Sequence, residues 1–258
     1  MHMRKLAFIL ALGAAASMLA AVPRVVAHRG YHRAEGSAQN SIRALVKADS
    51  IGAYGSEFDV WLSADNKLYV NHNRDINGIV IETSTSEAID TCHLVNGELI
   101  PTLDAYLDAA KGLKTMLVLE LKPHTDSARE DVAIPMILDA VAERGLEDRM
   151  IYITFSRNAF DKFAAATTRP VQFLTSVAPE EIAAAAAKAK APLGADFNLS
   201  AFRKNPQWIT AFQSAGRDVN VWTVDKPEDL QWCIEQGVDF ITTNEPELTA
   251  RMISEHQK

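Results

Sequence analysis

The chain has 258 residues, of which 48% are hydrophobic and 23% are charged, so it is long enough to bury a large core in one or two domains. Its 26 basic and 33 acidic residues give a net charge of −7, which argues against a nucleic-acid partner, because a phosphate backbone requires an excess of Lys and Arg. A small anionic substrate remains compatible with this charge, since it needs only a local positive pocket.

An N-terminal signal peptide is predicted over residues 1–21, which leaves one mature domain over residues 22–258. Arg4 and Lys5 form a short basic region, and an apolar, alanine-rich run follows and ends in small residues. The run is shorter than the roughly 20 residues of a membrane-spanning helix. An uncleaved anchor is the alternative. We expect a periplasmic or secreted protein that has no stable membrane insertion after cleavage.

Strand-like and helix-like segments alternate along the rest of the chain. The predicted strands are 24–28, 56–62, 116–121, 150–153, 171–173, 193–196, 219–224 and 238–242. The predicted helices are 40–51, 103–110, 127–144, 158–166, 179–190, 206–215, 227–236 and 246–254. Residues 67–71 are predicted to form a hairpin arm on the second strand, and residues 74–97 an insertion of loops.

Eight strand-then-helix units favour an α/β fold with parallel strands, closed into a TIM (β/α)8 barrel with a small insertion after the second strand. A doubly wound open sheet is the alternative. It is disfavoured because no Gly-x-Gly-x-x-Gly loop follows the first strand.

The end of the first strand carries a chemically rich sequence. Three apolar residues run into His28, Arg29 and Gly30. Ligands bind at the carboxyl ends of strands in α/β barrels and in open parallel sheets. The sequence therefore predicts that a proton-transfer group, a cation and a flexible turn lie together at a ligand site.

The second strand places two acids on one face. Side chains alternate along a strand, so Glu57 and Asp59 share one face while Phe58 and Val60 share the other. Two such carboxylates inside a barrel repel each other unless a cation neutralises them, and oxygen ligands favour Ca²⁺ or Mg²⁺. The alternative is an exposed edge strand with two solvated acids.

The third strand repeats this arrangement. Leucines occupy one face, and Val118, Glu120 and Lys122 occupy the other. Glu120 is a candidate third metal ligand, and Lys122 is a candidate partner for an anion. The alternative is an internal Glu–Lys ion pair, because buried charges require partners.

A second histidine, His72, follows the predicted hairpin arm. Together with His28 it suits phosphoryl transfer, in which one histidine acts as the general base and the other as the general acid. The remaining histidines are predicted to be structural or solvated: His2, His32, His93, His124 and His256. On the seventh strand, Trp222 is predicted to form an apolar wall for a substrate or, as the alternative, part of the core.

These segments resemble, in order, the motifs of the glycerophosphodiester phosphodiesterase family, which belongs to the phosphatidylinositol-phospholipase-C-like barrel phosphodiesterases. The resemblance spans residues 25–250. It comprises His28-Arg29-Gly30, Glu57-Phe58-Asp59-Val60, Val70-Asn71-His72, Leu119-Glu120-Leu121-Lys122, Val221-Trp222-Thr223-Val224 and Gly237-Val238-Asp239-Phe240-Ile241-Thr242-Thr243-Asn244.

The resemblance implies a TIM barrel that uses one divalent cation, Ca²⁺ or Mg²⁺ with Mn²⁺ as a further candidate. It implies hydrolysis of a small glycerophosphodiester to an alcohol and glycerol 3-phosphate. The catalytic residues would be His28 and His72, and Arg29, Lys122 and Trp222 would bind the substrate. The metal ligands would be Glu57, Asp59, Glu120 and Gln39.

Two positions depart from the family pattern. Gln39 stands where the family has a metal-binding glutamate, and Asn73 stands where an acid follows the second histidine. An amide oxygen still ligates a metal, but one formal charge is lost. The missing glutamate also permits non-catalytic binding of glycerol phosphates or sugar phosphates. Phospholipase C- or D-like cleavage of intact phospholipid by the same fold is a second alternative function.

Overall fold

The structure, a computed structural model, describes residues 22–258, so the predicted signal peptide lies outside the described residues. Eight parallel strands form a closed ring in which neighbours follow one another along the chain. The ring closes because Val26 on the first strand pairs with Gly55 on the second and with Thr242 on the last. The predicted TIM barrel is confirmed, and the open-sheet alternative is wrong. The barrel strands are β1 (Arg24–Ala27), β2 (Gly55–Leu62), β6 (Met116–Leu121), β7 (Met150–Thr154), β8 (Val171–Phe173), β9 (Leu193–Asn198), β10 (Val219–Trp222) and β11 (Phe240–Thr243).

Each barrel strand is followed by helix. The ten helices are α1 (Ile42–Ser50), α2 (Ser86–Ile89), α3 (Leu103–Ala110), α4 (Ala128–Ala142), α5 (Arg157–Ala166), α6 (Pro179–Ala186), α7 (Leu199–Lys204), α8 (Gln207–Ser214), α9 (Pro227–Gln236) and α10 (Pro246–His256) within residues 22–258. The short helix α7 was not predicted, because strand β9 runs directly into it with Asn198 as the cap. Within the described part of the chain, no helix is long and apolar enough to cross a membrane.

The hairpin arm is present as β3 (Leu68–Val70), which pairs antiparallel with β2. The insertion that follows was predicted as loops, but it contains a two-stranded ladder, a 3-10 turn (Ile81–Thr83) and helix α2. The ladder strands β4 (Asp75–Ile76) and β5 (Ile79–Val80) are too short to show a periodic pattern. The insertion has its own apolar core, made by Trp61, Tyr69, Ile76, Ile81, Ile89, Cys92 and Ile100. This small core fixes the arm that carries His72.

The strands separate apolar and polar side chains as their alternation predicts. Phe58 and Val60 pack into the main core between strands and helices. A second apolar cluster, which includes Val26, Val118, Ile151 and Phe240, lies apart from this main core. Because residues alternate across a strand, these side chains fill the barrel interior. Polar groups replace them toward the carboxyl ends of the strands.

Candidate active site

Three buried carboxylates lie together at the carboxyl end of the barrel. One oxygen each of Glu57, Asp59 and Glu120 lies within 4.8 Å of the other two. The cluster forms because β2 pairs with β6 in a register that places Asp59 beside Glu120. Glu57 Oε1 is buried and has no hydrogen-bond partner. Three acids with an unsatisfied oxygen are the donor set of a site for a hard divalent cation.

The electrostatics of the cluster are those of excess negative charge. Burial, with the charges of Asp59 and Glu120, raises the pKa of Glu57 well above its usual range. Burial and Asp59 likewise raise the pKa of Glu120 to about 8. Burial also acts to raise the pKa of Asp59, but Lys122, His72 and the Asn40 hydrogen bond outweigh it and lower that pKa.

Lys122 is the cation that faces these acids. Its Nζ lies 2.8 Å from Glu120 Oε1 and 3.2 Å from Asp59 Oδ1. Burial disfavours its charge, but Asp59 and Glu120 raise the pKa of Lys122 to about 12. Lys122 supplies one positive charge against three carboxylates, so the charge of the cluster favours a further cation.

His28 is oriented by two successive hydrogen bonds, through Asn244 to Asp225, which the sequence did not predict. Asn244 Nδ2 donates to Asp225 Oδ2 over 2.7 Å, so Asn244 Oδ1 faces two histidine rings. His28 Nδ1 and His32 Nε2 each lie 2.9 Å from that oxygen and therefore act as the donors. The neutral His28 ring then presents an unprotonated Nε2, 4.0 Å from Glu57 Oε2. Burial, reinforced by Arg29, lowers the pKa of His28 to about 4.

His72 lines the same cavity from the hairpin arm. Its Nδ1 lies 2.9 Å from Asn73 Oδ1 and donates to it, which leaves Nε2 unprotonated in the neutral ring. Burial lowers the pKa of His72. Asn73, the residue that departs from the family pattern, therefore still orients the ring through its amide oxygen.

The turn after β1 brings Arg29 to the cluster. The Arg29 backbone N–H donates to Glu57 Oε2 over 2.7 Å, and its Nη1 donates to Gln39 Oε1 over 2.7 Å. Gly30 has a φ of +71°, and a Cβ there would lie 2.7 Å from Ala44 backbone and side-chain carbons, so only glycine fits. Gln39 is exposed and borders a neighbouring cavity lined partly by the insertion. Its ligation of a metal stays a prediction.

All of the predicted site residues except Asp59 and Gln39 line one cavity of about 180 Å³ at the mouth of the barrel. The cavity is lined by His28, Arg29, Glu57, His72, Glu120, Lys122, Ile153, Phe155, Leu174, Asp196, Trp222, Thr223 and Thr242. Trp222 is held in place because its Nε1 donates to the Asp196 backbone oxygen over 2.8 Å. Phe155 packs edge-on against its ring. Trp222 is therefore an apolar wall of the cavity.

Four functional positions were missed by sequence analysis: Asn40, His32, Asp225 and Asn244. Asn40 Nδ2 donates to Asp59 Oδ2 over 2.8 Å and Asn40 Oδ1 accepts from the Asp59 N–H over 3.0 Å, which fixes that carboxylate. A usable signal for Asn244 was its place directly after the last strand, at the edge where His28 lies. His32, which was predicted to be structural or solvated, shares the Asn244 oxygen with His28.

A closed barrel with three buried acids, two histidines and the cationic side chains of Arg29 and Lys122 around one cavity is the arrangement of a TIM-barrel phosphodiesterase. Residues 28–248 match the model of the glycerophosphoryl diester phosphodiesterase family. A crystal structure of a glycerophosphodiester phosphodiesterase from Parabacteroides distasonis is 39% identical, with a TM-score of 0.87 over 92% of this chain and 99% of that one. The chain therefore belongs to the glycerophosphoryl diester phosphodiesterase family, as its motifs predicted.

A further relative bears the same family name, and a further solved structure shares the fold. A glycerophosphodiester phosphodiesterase from Caldanaerobacter subterraneus is 27% identical over 89% of this chain and 97% of its own length. A phosphodiesterase from Oleispira antarctica, solved in complex with the product sn-glycerol-3-phosphate, is 22% identical. It shares the fold, with a TM-score of 0.75 over 90% of this chain and 97% of its own.

Proposed function

We propose that this protein is an exported, metal-dependent enzyme that hydrolyses glycerophosphodiesters to an alcohol and glycerol 3-phosphate. The observation that carries the proposal is the cluster of Glu57, Asp59 and Glu120 beside two cationic and two imidazole side chains around one small cavity. Family membership and the names of the relatives support the substrate class.

Glu57, Asp59 and Glu120 would hold one divalent cation, Ca²⁺, Mg²⁺ or Mn²⁺. The unpartnered, buried Glu57 Oε1 supports this fit, because a bound ion would satisfy it. When bound, the ion supplies positive charge that stabilises the charge developing on the phosphoryl group. Asn40 fixes the Asp59 carboxylate, and Lys122 neutralises part of the remaining charge.

Arg29 and Lys122 would bind the phosphate, because both line the cavity as charged donors. Arg29 is oriented by its backbone hydrogen bond to Glu57 and by Gln39. Gln39 is proposed as an additional oxygen ligand of the ion, which would require its amide to leave the Arg29 guanidinium. Trp222 would pack its ring against the carbon skeleton of the substrate.

His28 and His72 would move the protons. His28 would act as the general base, since the Asn244 hydrogen bond to Nδ1 leaves its Nε2 with a free lone pair and burial, which lowers its pKa to about 4, keeps the ring neutral. A base must hold a lone pair at working pH, and His28 does so throughout the neutral range. His72, held by Asn73 on the hairpin arm, would act as the imidazolium, a form that the charge of Asp59 favours, and its protonated Nε2 would give a proton to the departing alcohol.

The test is a panel of deacylated diesters, glycerophosphocholine and glycerophosphoethanolamine among them, assayed with each cation and with chelator. Release of glycerol 3-phosphate should require the cation. Vesicles of intact phospholipid form the comparison arm, and faster turnover of vesicles would indicate a phospholipase. If no diester is hydrolysed with any cation, yet glycerol 3-phosphate binds, the protein is a binder and the proposal is refuted.

Export is proposed from the first 21 residues alone. Expression of the full chain with subcellular fractionation tests it: a mature N-terminus near residue 22 in the periplasm or medium is expected. An intact N-terminus on a membrane-bound protein would contradict the proposal.

A further inference from the structure

Two buried polar side chains in the barrel, Asp196 and Gln172, have atoms without hydrogen-bond partners on the side opposite the carboxylate cluster. Asp196 is 1% exposed, borders the cavity, and its Oδ1 has no hydrogen-bond partner. Gln172 is also 1% exposed, and neither its Oε1 nor its Nε2 has a partner. An unsatisfied buried polar group costs about 1–3 kcal/mol, so such groups point to a ligand that completes them.

The barrel topology places these groups across from the metal ligands. Asp196 is on β9, and β9 lies four positions from β2 in the eight-strand ring. Gln172 on β8 pairs with Gly194, two residues before Asp196 on β9. A Cβ on Gly194 would lie 3.2 Å from Gln172 Cγ, so the glutamine side chain leans over that glycine, inside the barrel.

Hydrogen bonds hold the residues around Asp196 in place. The Trp222 indole donates to its backbone oxygen over 2.8 Å, and Asn220 beside it accepts from Thr242 Oγ1 over 3.1 Å. Burial raises the pKa of Asp196 to about 8 against the opposing effect of a hydrogen bond from Asn220, so at neutral pH its carboxyl group offers a donor and keeps Oδ1 without a partner. Gln172 offers a donor and an acceptor. A hydroxyl group, which also donates and accepts, is the ligand that completes this set.

We propose that Asp196 and Gln172 bind the hydroxyl groups of the glycerol 3-phosphate half of the substrate, which rests on the proposed function. The phosphate would lie against Arg29, Lys122 and the ion, and the glycerol would cross the cavity toward β9 between apolar walls. The alcohol that leaves would face the neighbouring, more open cavity of about 490 Å³, which is lined partly by the insertion. The enclosed half of the cavity would therefore be selective for glycerol.

The experiment compares two synthetic diesters with the same leaving group: glycerol 3-(p-nitrophenyl phosphate) and propyl p-nitrophenyl phosphate. They differ only in two hydroxyl groups. A site built to hydrogen-bond a hydroxyl strongly rejects the analogue that lacks it, so kcat/KM of the wild type should favour the glycerol ester by at least about 100-fold. In Asp196→Ala this ratio should fall toward one, and Asp196→Asn, which keeps a donor and an acceptor, should retain much of it.

Gln172→Leu is the second variant, and it should lower the same ratio. Thr154→Val is the matched control, because Thr154 is a buried barrel hydroxyl whose Oγ1 already donates to the Leu121 backbone oxygen over 2.8 Å. This variant should keep the wild-type ratio. If Asp196→Ala lowers kcat/KM of both esters by the same factor, or if the wild type shows no preference, Asp196 has only a structural role and the inference is wrong.

A binding measurement separates this inference from the proposed function. Thermal shifts are recorded for the wild type and the variants with glycerol 3-phosphate and with propyl phosphate, in the presence of the cation. Greater protection by glycerol 3-phosphate that is lost in Asp196→Ala supports the inference even where no ester is hydrolysed. Equal protection by both ligands, with normal ester hydrolysis, refutes the inference and leaves the function intact.

Discussion

Binding of a divalent cation should release protons from the carboxylate cluster at pH 7. Without an ion, the raised pKa values of Glu57 and Glu120 mean that the folded protein holds protons on these buried acids. A metal ligand must be ionised, so the ion and the protons compete for the same oxygens. Addition of Ca²⁺ or Mg²⁺ to chelator-treated protein is the perturbation.

The size of the effect follows from the two pKa shifts. A group with a pKa of about 8, as for Glu120, is roughly nine-tenths protonated at pH 7. The pKa of Glu57 is also raised, by burial and by the charges of Asp59 and Glu120, so this acid adds to the release. Because the three acids interact, the release belongs to the cluster and should be roughly one to two protons per ion. The apparent Kd should then improve by about 10- to 100-fold between pH 6 and pH 7.

The assay is isothermal titration of the cation at pH 7 in two buffers with different enthalpies of ionisation. The Glu57→Gln variant should release fewer protons than the wild type. The control, Glu130→Gln, alters a buried acid that accepts hydrogen bonds from Ser156 and Asn158 on the outside of the barrel and should not change the release. An observed enthalpy that is independent of the buffer, or an unchanged release in Glu57→Gln, would refute the reasoning.

Three further predictions test other parts of the site and the fold. Chelator-treated protein should lose stability as pH rises between about 4.5 and about 8, because in this range Glu120 holds its proton in the folded state and loses it in the unfolded state. Denaturant titrations measure this loss, and added cation should reduce it. His28→Ala and His72→Ala should each lower kcat by about 10²- to 10⁴-fold while cation affinity by calorimetry stays near wild type, and unchanged kcat would exclude proton transfer by that ring. Gly30→Ala should lower the free energy of unfolding by at least about 2 kcal/mol. The control is Gly52→Ala, which should cost less because Gly52 has a similar φ of +70° but no atom within 4 Å of an added Cβ. Equal losses in the two variants would contradict the argument that the Gly30 Cβ meets Ala44.

Strand alternation was enough to predict the carboxylate cluster. Glu57 and Asp59 lie on the face opposite Phe58 and Val60, and Glu120 lies opposite leucines, so each position follows from a period of two. The roles of Asn40 and Asn244 could not be predicted in this way. Asn244 acts through a hydrogen bond to His28, 216 residues away, and that contact exists only once the barrel has closed. Asn40 bonds to Asp59, 19 residues away, and that contact requires the loop after β1 to pack against β2.

The insertion shows a second reason why prediction was incomplete. Its strands β4 and β5 contain two residues each, so no periodic pattern exists to distinguish them from loop. Their order comes instead from the small apolar core under the hairpin arm. The same core sets the position of His72, which the sequence placed only near the edge of the second strand.

The departure at Gln39 fits the charge balance of the site. Three acids and Lys122 leave two negative charges in excess, which one divalent cation neutralises. A glutamate at position 39 would lie within hydrogen-bond distance of the Arg29 guanidinium, where Gln39 Oε1 now accepts over 2.7 Å, and would pair with its charge. While its amide accepts from Arg29, glutamine holds the guanidinium in the same place without neutralising it, and as a ligand of the ion it would leave the guanidinium free. Its positive charge therefore remains available to a phosphate, so the substitution removes charge from the metal side of the site and preserves it on the phosphate side.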